Sequence, residues 1–64
     1  MKNDALTRYC QIFADLTRQH EYMMNQFQAT ADSQEQEGYN EQMIDLESKI
    51  KSVRQKIIYL AKNS

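Results

Sequence analysis

Seven side chains in the first half of the chain, Leu6, Tyr9, Phe13, Leu16, His20, Met23 and Phe27, recur at alternating spacings of three and four. A helix turns once every 3.6 residues, so this rhythm gathers all seven on one face. A second tract repeats it at Tyr39, Met43, Leu46, Ile50, Val53, Ile57 and Leu60, with the β-branched Ile50 and Val53 among straight and γ-branched side chains. Neither seam is stable facing water, so two of them in one short chain imply a packed pair. Proline is absent and Gly38 is the only glycine, which favours long uninterrupted helices over strands. The pattern predicts an all-α fold: an antiparallel two-helix hairpin with coiled-coil-like packing.

The break between the tracts falls in Ala31-Asp32-Ser33-Gln34-Glu35-Gln36, which holds two overlapping capping boxes. Ser33 can accept from the backbone N–H of Gln36 while Gln36 reaches back, and Asp32 with Glu35 offers the same exchange one residue earlier. These signals place the turn at 31–33, the first helix at about 4–31 and the second at about 34–62. The lengths then match, and the two seams meet without a large overhang. Asn3 or Asp4 can cap the first helix. A competing turn lies at Gly38-Tyr39-Asn40, where Gly38 ends the first helix and Asn40 caps the second.

A chain of 64 residues allows one domain, residues 1–64, with a thin stability margin. Cys10 is the only cysteine, so no disulfide forms within the chain. Cys10 and His20 cannot supply a four-ligand zinc site. Stability is therefore expected from helix packing and from another chain. The N-terminal MKNDALTRYC lacks the apolar run of a signal peptide, and no stretch is long and apolar enough to span a membrane. With one cysteine and no disulfide framework, the expected location is the cytoplasm.

Net charge is −1, unlike the basic balance of a nucleic-acid binder. The charges are nonetheless ordered. From Asp32 to Glu47 there are six acids and no Lys or Arg, and from Lys49 to Lys62 five bases and no acid. Acids towards a helix N-terminus and bases towards its C-terminus complement the macrodipole, which supports a single helix across this stretch.

Few residues invite chemistry. His20 is the only histidine. It could act as an acid or base, but that work needs a positioned partner and a pocket, and a half-buried seam position explains it more simply. Glu21 points about a quarter-turn away from it. Cys10 lacks an activating cation on its side of the helix and reads as a small apolar residue at the seam edge. Met23 belongs to the seam, whereas Met24 falls beside it as soft contact surface. The bases of 49–62 scatter around their helix and match solvated dipole complements better than a nucleic-acid groove. There is no phosphate-cradling glycine loop, carboxylate pair or nucleophile elbow, so the sequence predicts neither enzyme activity nor a cofactor.

Apolar residues exceed what a hairpin requires. Ile12, Tyr22 and Met24 on the first helix and Ile44, Ile58 and Tyr59 on the second lie outside the seams. Ile44, the stem of Lys51 and Ile58 are spaced by seven and form a second stripe, the mark of a contact surface for another protein. Lys56-Ile57-Ile58-Tyr59-Leu60-Ala61 is the most apolar run and the expected centre of that contact. Two geometries suit it: a second copy completing a four-helix bundle, or a groove in a larger protein that takes the hairpin.

An early tyrosine in the second helix, Tyr39, and its apolar, aromatic-containing end, Ile57-Ile58-Tyr59-Leu60-Ala61, resemble the small E-type cochaperones of bacterial type III secretion needles. The resemblance covers the whole chain in layout. It implies a cytoplasmic helical hairpin that pairs with a tetratricopeptide-like, helical-repeat chaperone. Together the two would hold the needle subunit unpolymerised before export, with the second stripe facing the chaperone. A homodimeric hairpin resembling the Rop plasmid copy-number regulators is the alternative. There RNA is bound through the first helix, which here holds only Arg8 and Arg18, with Lys2 before it. A small phage or host protein that docks onto an enzyme and inhibits it is a third possibility.

Overall fold

The computed structural model describes residues 4–63. Two helices, α1 (Asp4–Ala29) and α2 (Ser33–Lys62), account for nearly all of them. A helix of 30 residues is about 45 Å long, and the molecule measures 48 × 15 × 11 Å. Its smallest dimension is thus one helix thick: the pair forms a single layer, an all-α helical hairpin.

The turn lies at residues 30–32, so α1 stops two residues short of the sequence-based boundary and α2 begins at Ser33. Its chemistry also differs from the paired capping boxes. Asp32 is the N-cap: its carboxylate accepts from the backbone N–H of Gln34 (2.8 Å) and of Glu35 (3.2 Å). Glu35 does not reach back to Asp32 directly. The Asp32 N–H donates to the Thr30 hydroxyl (3.3 Å), which donates to the Glu35 carboxylate (2.7 Å), so the box closes through Thr30. The Ser33–Gln36 box is replaced altogether. The Gln36 N–H donates to the Asp32 carbonyl (2.9 Å). Its side-chain amide crosses the turn instead and donates to the carbonyls of Thr30 (2.9 Å) and Phe27 (3.4 Å). Phe27 lies in the last turn of α1 and Thr30 just past it, and that last turn has no basic side chain, so one glutamine from α2 meets carbonyls at the end of α1.

Gly38-Tyr39-Asn40, the competing turn, lies inside α2. Asp4 opens α1 and places a carboxylate in its first turn; Asn3, the other candidate cap, lies outside the described residues. At the far end the backbone N–H and the side-chain amide of Asn63 both donate to the Tyr59 carbonyl (3.1 and 2.7 Å).

The two helices run antiparallel, in a register fixed by the Gln36–Thr30 bond at the turn and a His20–Glu47 bond farther along. Both helices rise by the same 1.5 Å per residue, so the register carries outward. Phe27 lies opposite Tyr39, Met23 opposite Met43, His20 opposite Leu46, Leu16 opposite Ile50, Phe13 opposite Val53, Tyr9 opposite Ile57 and Leu6 opposite Leu60. All fourteen seam residues are buried or half-buried, and the core proper is Met43 (7% exposed) and Leu46 (8%). A single layer of two helices covers only the inner side of each seam, which is why the other twelve keep partial access to water.

Candidate functional site

Six large apolar side chains stand outside the seam and in solvent: Ile12, Tyr22, Met24, Ile44, Ile58 and Tyr59. They are the six that the sequence sets aside as contact residues. Tyr59 (62% exposed), Tyr22 (57%) and Ile44 (56%) are the most open. Single exposed apolar side chains are ordinary on a folded surface, whereas their recurrence off the seam is the mark of a contact surface.

Their arrangement departs from a single stripe. Ile44 and Ile58 each follow a seam residue (Met43, Ile57), whereas Tyr22 and Tyr59 each precede one (Met23, Leu60). At about 100° per residue these positions lean to opposite flanks of the seam. Met24 also follows a seam residue, and Ile12 precedes one. The surplus is therefore split between two faces, with Met24, Ile44 and Ile58 on one and Ile12, Tyr22 and Tyr59 on the other. The sequence shows the stripe on each helix, but only antiparallel closure decides which flanks adjoin.

On the Tyr22 side a shallow, open groove runs between the helices, floored by Met23 and Leu46 and bordered by Tyr22 and Gly38. Its rim carries Arg18 and Lys49 as well as Glu41 and Asp45. Lys49 pairs with Asp45 one turn back (3.3 Å), and Arg18 with Asp15. These exposed pairs contribute little to stability. They leave a groove of mixed charge over an apolar floor, suited to the side of a helix. A Cβ built on Gly38 meets nothing within 4 Å, so the glycine keeps this rim low without any packing demand on it.

His20 sits half-buried in the seam, and its Nε2 lies 2.9 Å from Glu47 Oε2 on the other helix. Glu21 is its neighbour in sequence, but Glu47 is its partner in the fold. The signal was present, because the register opposes His20 to Leu46, next to Glu47. The pair orients the ring and ties α1 to α2. Cys10 is free and exposed rather than tucked against the seam. Met23 is half-buried, as its seam position requires, and Met24 is exposed. Lys49 and Lys56 flank the Tyr22 side of α2 while Lys51 and Arg54 flank the other, so the bases share no face. Among the described residues no group of three His, Cys, Asp or Glu side chains converges, and no helix is long and apolar enough to cross a membrane. Comparison with protein-family models, with curated proteins and with solved structures returns no match.

Proposed function

We infer that this chain is a non-enzymatic protein-binding hairpin. In the more specific reading, which rests on its resemblance to the E-type family, it is a cytoplasmic cochaperone of bacterial type III needle assembly. It pairs there with a larger helical-repeat chaperone and helps keep the needle subunit unpolymerised. The observation that supports protein binding is that, among the described residues, six large apolar side chains are exposed and only two are buried. Covering such apolar area with a partner is favourable by about 25 cal/mol per Å² before the costs of association are met. The groove beside Tyr22 and the aromatic end at Tyr59 offer helix-sized contacts to a helical repeat.

Co-expression with a candidate chaperone and needle subunit tests it. The three are expected to co-purify, with Tyr59→Asp and Tyr22→Asp each losing the chaperone while keeping the helical circular-dichroism spectrum. Both side chains are exposed, so loss of helicity in these variants would place them in the hairpin's own packing and remove them from the contact surface. Failure of the wild-type chain to bind either protein would end the secretion reading and leave protein binding in general to be tested by other partners.

A further inference from the structure

Two properties of the whole hairpin point to an occupant for the face carrying Met24, Ile44 and Ile58. The first is charge. Cut across its middle, the hairpin has residues 18–48 in the turn half and the remainder in the open half. The turn half sets one base, Arg18, against seven acids (Glu21, Asp32, Glu35, Glu37, Glu41, Asp45 and Glu47), a net of −6 with His20 neutral. Among the described residues the open half sets six bases (Arg8, Lys49, Lys51, Arg54, Lys56 and Lys62) against Asp4 and Asp15, a net of +4. The near-neutral total conceals a rod that is negative at one end and positive at the other.

The second is area. The chain exposes 5074 Å², whereas a compact monomer of 7.6 kDa exposes roughly 4,300 Å². The excess reflects a rod only one helix thick, and it leaves room for the roughly 800 Å² that each partner contributes to a standard interface.

We propose that this face binds a second copy of the chain, turned end over end, to make an antiparallel four-helix bundle. The two-fold axis crosses α2 at Lys51, midway between Ile44 and Ile58. Ile44 of each copy then packs against Ile58 of the other, and Glu47 faces Arg54. An isologous contact of this kind satisfies both copies with one surface. Lys51 lies across the axis with its stem on the apolar patch and its ammonium turned outward. On α1 the axis passes near Ala14, whose small side chain lets the two copies of α1 approach. The end-over-end arrangement sets each negative turn half against a positive open half, whereas a parallel one stacks like charge on like. The contact goes beyond the proposed function and leaves Tyr22 and Tyr59, on the far side, free for a different protein.

Sedimentation equilibrium of the full chain, at low and high salt, tests the association. The expected species is a helical dimer of about twice 7.6 kDa whose dissociation constant rises with salt. Ile58→Asp is expected to yield helical monomer. Glu47→Arg and Arg54→Glu are each expected to weaken the dimer several-fold, and their combination to restore it. Circular dichroism on each variant accounts for the His20 bond that Glu47→Arg removes. Orientation is read from spin labels in a Cys10→Ser background. Labels at Lys51→Cys are expected close together, and labels at Gln34→Cys about 50 Å apart, from 17 residues of helix on either side of the axis. A helical monomer at all concentrations, an unfolded isolated chain, a salt-insensitive dimer or close Gln34 labels would each overturn the proposal. A helical monomer, a salt-insensitive dimer or close Gln34 labels would leave Tyr59-dependent capture of a chaperone standing, so the two readings fail separately.

Discussion

The half of the hairpin beside the turn and the half at its open end share one seam but are held differently. Near the turn, Asp32, Thr30, Glu35 and Gln36 form a continuous set of hydrogen bonds around three loop residues. Farther along, His20 bonds to Glu47. The two most deeply buried side chains among the described residues, Met43 and Leu46, lie in this half. At the open end Leu6, Tyr9 and Phe13 meet Val53, Ile57 and Leu60, all only half-buried. A short turn fixes the separation and register of two helices where it joins them, and that constraint fades along the rods. Stability therefore concentrates at the acidic end, while the basic end carries the apolar run Ile57-Ile58-Tyr59-Leu60, where a partner adds most.

The largest test of this contrast compares one truncation in each half. Leu46→Ala is expected to cost about 2–4 kcal/mol, most of the margin of a domain this small, and to abolish most helicity at room temperature. Leu60→Ala removes side-chain contacts already half in water and is expected to cost about 1 kcal/mol. Urea titrations followed by circular dichroism give both values, and equal losses would dissolve the distinction between the halves.

A smaller effect sharpens the account of the turn. Asp32→Ala removes the N-cap acceptor and is expected to lower stability by about 1 kcal/mol, whereas Ser33→Ala is expected to change little. The reverse order would return the cap to Ser33. Similar in size to Asp32→Ala, and opposite in sign, is Gly38→Ala. Its Cβ enters open space, and alanine is favoured over glycine in a helix interior by about 1 kcal/mol. The thermal midpoint should rise by several degrees; a fall would show that the groove beside Tyr22 needs the bare backbone.

How far the sequence carried varies with the range of the interaction. Every seam residue expected from the spacing is buried or half-buried, because helical periodicity is a property of one segment and its own backbone. The turn was legible to within two residues, since the capping signals Asp32 and Ser33 sit side by side and differ only in which one the folded loop uses. Gln36 was misread. Its spacing from Ser33 suits a local box, yet the chain reversal brings the carbonyls of Phe27 and Thr30, at the end of α1, within its reach. The hydrogen bond that looks nearest in sequence lost to one available only after closure.

The same division applies to the candidate surface. The six residues that proved exposed could be named from sequence because they lie off the seam. The sequence by itself therefore determined that two helices form, which face of each is buried, and which apolar side chains are left over. Tertiary structure alone decided that His20 meets Glu47, that Gln36 caps α1, and that the surplus divides into a Tyr22–Tyr59 side and an Ile44–Ile58 side. The reason is physical: periodicity orients side chains about a single axis, whereas handedness and register relate two axes, and those are set only when the chain turns back and packs.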